Sequence, residues 1–435
     1  MNDYQAPVDD ILFTMNTVAG MQALAQLPAF EEASADLVEA IVNEAAKFSA
    51  GVIAPLNRIG DEQGSKVVNG DVVVAEGFAE AYQQVVAAGW SSLSGAPEFG
   101  GQGLPILVSA AVGETIMSAN VAFSLVTMLS QGSISALTNH GSPALQEKYL
   151  PKLISGEWTG TMNLTEPQAG SDLGVVKTIA TPHEDHYLIS GQKIFITSGH
   201  GKWHVVIART EADQSLGLDG LSLFLAEAFT EGEDGELIRH ATVERLEEKL
   251  GHHASPTVTV RYDNSPAELV GEPGEGFKLM LLLMNNARIS VGFESLGLME
   301  CAFRMAKAYT AQRHSMGKPI AKHELLADQL DEMQSDIEGL RALCVHAAWH
   351  EELHQRARLR LKYLHPEGDP GLPEAGQASE GGDHPGCHEG QRPPFPGRHA
   401  TALRGPCRDP ARSPGAGGPD PRRGAGGVVG SGRHR

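Results

Sequence analysis

Residues 164–174 read LTEPQAGSDLG, a stretch too polar for a strand and too broken by Pro167, Gly170 and Gly174 for a helix. It lies between two strand-like segments, one ending WTGTMN at Asn163 and one starting GVVKTIA at Gly174. A loop with small residues at its hinges and bare backbone N–H groups can close around a phosphate or the polar edge of a ring. The segments on either side decide whether it does.

On the N-terminal side, Leu37, Val38, Ile41, Val42, Ala45, Phe48 and Val52 recur at helical spacing, and similar patterns cover 77–89, 105–129 and 131–154. Residues 1–157 are therefore expected to form an α-helical domain. From about Trp158 the pattern changes to short β-branched runs, YLISGQKIFITSG, WHVVIART, LSLFLAEA and PTVTVRYD, which predict a middle, barrel-like β domain over 158–270. After the turn GEPGEG (271–276), two long amphipathic helices predict an incomplete C-terminal helical bundle over 271–353. Helical, β and helical blocks without alternating βαβ units give an α+β fold and argue against a Rossmann sheet.

Composition bounds the rest. With 435 residues, 41% hydrophobic and 20% charged, the chain has the make-up of an ordinary multidomain globular protein. The opening MNDYQAPVDD has neither a basic nor an apolar leader region, and no long uninterrupted apolar run follows, so neither a signal peptide nor a membrane span is expected. Cys301, Cys344, Cys387 and Cys407 lack any short paired spacing, which fits a reducing cytoplasm better than a disulfide framework or a zinc site. The net charge of −20 argues against nucleic acid as a partner.

That charge conceals a break. Residues 354–435 hold 17 Gly and 12 Pro, no Ile and no Met, and 13 Lys+Arg against 8 Asp+Glu, a net of +5 that leaves −25 on residues 1–353. Such a segment buries too little apolar surface to offset chain entropy and is expected to be a disordered tail. Two origins stay open: a natural low-complexity extension, and a reading-frame shift near residue 355 in a GC-rich gene.

Residues 1–353 resemble the flavin-dependent acyl-CoA dehydrogenase family. TEPQAGSD (165–172) is similar to that family's flavin loop, commonly TEPGAGSD, with Gln168 in place of a frequent Gly; YQAPVDDILFTMN (4–16) and NRIGDEQG (57–64) resemble its larger subclass. The resemblance implies FAD as cofactor and oxidation of an acyl-CoA thioester to trans-2-enoyl-CoA in fatty-acid β-oxidation. It also implies an electron-transfer flavoprotein as acceptor and a homodimer or tetramer. Thr165 would meet the flavin's pyrimidine edge and Ser171 its pyrophosphate and the substrate, with Met162, Leu164 and Gly170 around them. In KIFITSG, Phe195 would lie against the isoalloxazine and Thr197 beside N5, where each would tune the ring.

Further along, QRHSMGKPI (312–320) would reach the FAD of a neighbouring subunit through Arg313 and Ser315, with His323 and Glu324 following. MNNARIS (284–290) would take the CoA position, with Asn285 on the pantetheine arm and Arg288 on phosphate or adenine. The family's catalytic base is a Glu in a YEGT-like stretch, or a residue just before the helix Arg. No such stretch is present and the second position is Ala287, leaving Glu294 as the nearest carboxylate on that helix. A catalytically dead flavin- or CoA-binding remnant is therefore an alternative, and a DNA-associated member of the superfamily is another that the net of −25 disfavours.

Plainer readings stand beside these. Phe195 alone would be a strand core residue, Arg313 a helix-terminal charge and Arg288 a partner to a helix neighbour. GHH (251–253), His200 and His204 lack a carboxylate or Cys at ligand spacing and read as satisfied surface histidines rather than a metal site. GQGLP (101–105) lacks the Lys and Ser of a phosphate loop and reads as a turn.

Overall fold

Ser34, Asn120 and Ser142 each open a helix by accepting the backbone N–H three residues on, from Leu37, Phe123 and Leu145 at 3.3, 3.1 and 3.3 Å. The computed structural model describes residues 4–364 apart from 22–29, 31–32, 69, 212–213, 233 and 235, and the side chains of 231 and 356–364 lie outside it. All described elements belong to one unit, Met1–Pro370. Its helices begin with α1 (Val8–Thr17), α2 (Ala35–Phe48), α3 (Leu56–Gln63), α4 (Phe78–Ala87), α5 (Ile106–Ala119), α6 (Val121–His140) and α7 (Pro143–Ser155). A small hairpin, β1 (Lys66–Val68) with β2 (Asp71–Val73), interrupts them.

The expected helices over 105–129 and 131–154 are in fact three. Extended backbone at Asn120 (φ −161°) ends α5 and caps α6, and Gly141 with Ser142 and Pro143 ends α6 and starts α7. Apolar periodicity runs through such corners, whereas caps break them. Helix α6 is long and apolar enough to cross a membrane by length and composition alone, although Ser, Thr and Gln interrupt its apolar run. Much of it is buried inside the protein, where Leu125, Leu129, Ala136 and Leu137 join the core.

The β domain comprises β3 (Gly160–Asn163), β4 (Ile179–His183), β5 (His186–Thr197), β6 (Trp203–Arg209), β7 (Leu221–Glu227), the outlying hairpin β8 (Phe229–Glu231) with β9 (Leu237–Arg239), then β10 (Ala241–Leu246) and β11 (Thr257–Val270). Strand β7 pairs with β6 on one side and β11 on the other, so β11–β5–β4–β6–β7 closes into a ring with β10 and β3 at its margins. Closure removes the free edges a sheet would otherwise expose. Every residue of β6 is buried because Val206 and Ala208 fill the ring interior, while Val205 and Ile207 meet the helices outside.

Two long helices complete the unit: α8 (Gly276–Gln312) and α9 (Glu324–Leu364), joined by the hairpin β12 (His314–Ser315) and β13 (Lys318–Pro319). Helix α9 continues past residue 354, where the tail was expected to begin. Gln, Arg, Leu and Lys in 355–364 are good helix formers, and the helix-breaking Pro and Gly start only at Pro366. The remainder of the expected tail, 365–435, lies outside the described residues.

Helix α9 is held by charge as well as by apolar packing. Arg341 is 1% exposed and donates to Glu114 of α5 at 2.9 Å and to Glu300 of α8 at 2.8 Å. Burial pushes the Glu114 carboxyl up to about 7 against the pull of Arg341, and its second oxygen has no partner among the described residues. Removing the arginine leaves the buried Glu114 carboxylate without its partner, while Glu300 keeps Arg304 on its other oxygen; breaking such a buried pair costs about 3–5 kcal/mol. Arg341→Met is expected to lower the urea midpoint accordingly, and by less near pH 5 than near pH 8, because Glu114 becomes neutral as pH falls. An unchanged midpoint would show that apolar contacts alone seat α9.

Candidate functional site

The loop after β3 is fixed by a charge pair that carries no solvent. Glu166 is 3% exposed and Lys193 of β5 is fully buried, with Lys193 Nζ donating to Glu166 Oε1 at 2.9 Å and to Leu164 O at 2.9 Å. The N–H groups of Lys177 and Thr178 donate to the same carboxylate at 2.7 and 3.0 Å, and Ile194 N–H donates to Thr165 O at 2.8 Å. Burial pushes Lys193 down to about 8 against the attraction of Glu166. For Glu166 burial acts upward, but Lys193 and the N–H donors outweigh it and hold the carboxyl below its ordinary range. The loop is thereby tied to β5 at two successive residues.

Immediately after that tie, β5 bulges. Val258 of β11 pairs with Ile196 and Val260 with Lys193, so Ile194 and Phe195 together oppose the single residue Thr259. Phe195 takes φ +58° and its side chain is 59% exposed, a conformation and an exposure unusual for a strand phenylalanine. The plain core reading of Phe195 therefore fails: the bulge turns the ring out of the barrel. Thr161 of β3 donates to Thr197 O at 2.7 Å, which binds the far end of β5 to the strand that feeds the loop.

A neutral network lies beneath. Tyr262 O–H meets His204 Nδ1 at 2.7 Å, Asn163 Nδ2 donates to the Tyr262 oxygen, and His204 Nε2 reaches Gly201 O at 3.2 Å. These contacts assign the Nε2–H tautomer. Burial pushes both His204 and His200 down to about 4, so both rings are neutral. The surface reading is corrected here for His204, because β6, which carries it, is buried on both faces; His200, in the turn before β6, is half-buried.

The residues expected to bind cofactor divide into two groups. Met162, Leu164, Thr165, Gly170, Ser171, Phe195 and Thr197 gather along the loop and the end of β5. Gly170 and Ser171 are exposed, and the hydroxyls of Thr165, Ser171 and Thr197 make no hydrogen bond among the described residues. A Cβ at Gly170 would meet only the Thr165 methyl, at 3.8 Å, so the backbone there is open to a ligand. Exposed aromatic face, unused hydroxyls and open backbone are the donor set a flavin nucleotide requires, and on this side the residues fit FAD. Arg313, Ser315, His323 and Glu324 lie apart, around the β12–β13 hairpin, with Arg313 and Ser315 exposed. No hydrogen bond or ion pair joins them to the loop among the described residues.

On α8, Arg288 Nη1 donates to Asn285 Oδ1 at 2.7 Å, both side chains being exposed. Asn285 also borders a cavity of about 110 Å³ lined in part by Ser135, Asn139, Asn286 and Glu351. Glu294 is half-buried on the same helix with His252 Nε2 at 3.6 Å; burial raises its carboxyl above the ordinary range, and His252 opposes this. Ala287 supplies no acid or base. Sequence reasoning missed the pairing of Glu166 with Lys193: Lys193 follows Gly191 and polar Gln192, and nothing beside it in the chain marks it as buried.

Family models match in three consecutive pieces: the acyl-CoA dehydrogenase N-terminal domain over residues 36–157, the middle domain over 161–265 and the C-terminal domain over 274–363. The 3-methylmercaptopropionyl-CoA dehydrogenase of Ruegeria pomeroyi is 42% identical over 359 residues, 79% of this chain and 61% of that protein. An acyl-CoA dehydrogenase of Bacillus subtilis is 34% identical over 284 residues, 63% of this chain and 71% of that protein. Among solved structures, butyryl-CoA dehydrogenase from Megasphaera elsdenii is similar with a TM-score of 0.65 at 26% identity, over 73% of this chain and 80% of that one. The chain spans less than two thirds of the length of the Ruegeria relative. With the flavin-type loop, the bulged β5 and three consecutive domain matches in one polypeptide, the chain belongs to the acyl-CoA dehydrogenase family.

Proposed function

We propose that this polypeptide holds FAD between the 164–171 loop and the end of β5 and an acyl-CoA thioester along α8. It is in that reading the cofactor- and CoA-binding part of an enzyme that converts acyl-CoA to trans-2-enoyl-CoA and passes electrons to an electron-transfer flavoprotein. The observation that carries the proposal is the welding of the loop to β5 by Lys193 and Glu166, one turn of chain from an outward-facing Phe195. Bound there, FAD would supply the acceptor for the substrate's β-hydride. Phe195 would offer an aromatic face, Thr165 and Thr197 hydroxyl donors, and Ser171 with open backbone at Gly170 a phosphate cradle. Asn285 and Arg288, already paired on an exposed helix face, would turn toward the CoA moiety.

Removal of the substrate's α-proton needs a carboxylate that the described residues do not provide at the position of Ala287. Glu294 stands two helical turns further on and is engaged by His252. That observation favours a second reading for the chain as given, a flavin- and CoA-binding protein without dehydrogenase activity. Assembly as a homodimer or larger is supported by Val291, Leu298 and Met305, which are 46, 48 and 69% exposed at seven-residue spacing along α8. It is supported also by the separation of Arg313 and Ser315 from the loop, which fits service to a neighbouring copy.

Two outcomes test the proposal. Purified protein reconstituted with FAD should acquire the flavin's visible absorbance, and Phe195→Ala should weaken binding by roughly two- to tenfold, the worth of one aromatic stack. Protein that stays colourless, or a variant that binds as tightly, contradicts the site. Incubated with saturated acyl-CoAs and an artificial electron acceptor, the chain should turn over at background rate, since an absent general base alone removes about 10²- to 10⁴-fold. Measurable dehydrogenation would instead place an active carboxylate, Glu294 foremost, at the α-carbon.

A further inference from the structure

The histidines of the GHH motif at 251–253 are part-exposed and both have carboxylate neighbours. The motif sits in the connection between β10 and β11 and touches both helical parts of the protein. His253 Nδ1 meets Asp61 Oδ1 of α3 at 2.9 Å, its carbonyl accepts the Ser65 N–H at 3.0 Å, and Ser65 Oγ donates to Ala254 O at 2.7 Å. On the other side His252 Nε2 lies 3.6 Å from Glu294 of α8. His252 holds φ +56°, a left-handed conformation that a non-glycine residue keeps only when its surroundings impose it.

The same connection supports the strand that carries Phe195. Pro256 O accepts the Ser198 N–H at 2.7 Å, and Thr257 pairs with Thr197. We infer that His252 and His253 are positioning residues: they clamp the end of β5 between α3 and α8, and so fix the spacing between the cofactor-facing strand and the helix that bears Arg288. The inference rests on the proposed FAD site. It makes that spacing sensitive to protonation, because each histidine holds its carboxylate most firmly when charged.

The groups facing the clamp are Asp61 from α3 and Glu294 from α8, and within the connection the Lys249 carbonyl meets His253 Nε2 at 3.1 Å. The hydrogen bond to Asp61 raises His253 above its ordinary value, and burial raises Glu294. In both cases the docked state binds protons more readily than the undocked one. The His253–Asp61 arm is therefore strongest at low pH and weakens as pH rises through the raised histidine value, whereas the His252–Glu294 arm is an ion pair only above the raised Glu294 value, where that carboxyl is ionised.

The test follows thermal stability without FAD, and FAD affinity, across about pH 5 to 8 in the unaltered chain, His253→Asn, Asp61→Asn and His252→Gln. The unaltered chain is expected to lose FAD affinity by about two- to fivefold over that range, as befits exposed pairs. The variants are expected to give flatter profiles in both readouts while keeping the fold. Profiles in the variants that superimpose on the unaltered chain would overturn the clamp. Failure to take up FAD at any pH would contradict the cofactor site, and the stability profiles would then decide the clamp by themselves.

Discussion

A lysine ammonium without solvent must find a carboxylate, and the candidate site is organised around the place where Lys193 finds one. Because Glu166 sits in the loop and Lys193 in β5, satisfying that requirement fixes two segments relative to each other that the chain separates by 27 residues. Three further groups, the N–H groups of Lys177 and Thr178 and the carbonyl of Leu164, close on the same pair, and beside it the Ile194 N–H donates to Thr165 O. A buried pair of this kind is weak evidence for stability but good evidence for a unique geometry where both carboxylate oxygens are bonded, as they are in Glu166.

The barrel makes that geometry rigid. In the closed ring β5 pairs with β11 along most of its length and with β4 over its first residues, 186–190, and the bulge opposite Thr259 turns the large apolar ring of Phe195 outward. The helices do comparable work at greater distance. Arg341 brings α5, α8 and α9 to a single buried charge centre, and the GHH connection brings α3 and α8 to the end of β5. Each junction joins ionisable groups from different elements, and it adds directional contacts to the apolar cluster that already packs α6, α7 and α8 against β6 and β7.

Much of this was legible beforehand. The 3.6-residue and two-residue periodicities assigned helices and strands because they report which faces are apolar, and TEPQAGSD marked the loop proposed here to hold the cofactor. Helix ends were less legible: Asn120 caps a helix only because α5 and α6 turn there, and apolar periodicity continues across it. Least legible were the long-range polar pairs. Nothing local in Glu114, Glu166 or His252 names its partner, since Arg341, Lys193 and Glu294 come from elsewhere in the chain. The outward turn of Phe195 depends on a bulge that no periodicity reports.

Native-state hydrogen exchange tests the central claim most directly, by comparing the unaltered chain with Lys193→Met. If the buried pair welds the loop to β5, the amides of Lys177, Thr178 and Ile194 should exchange about 10²-fold faster or more in the variant, as expected for loss of a buried partner. The amides of β6 and β7 in the barrel wall should keep their protection. Unchanged exchange at those three amides, or a uniform loss throughout the barrel, would contradict the account.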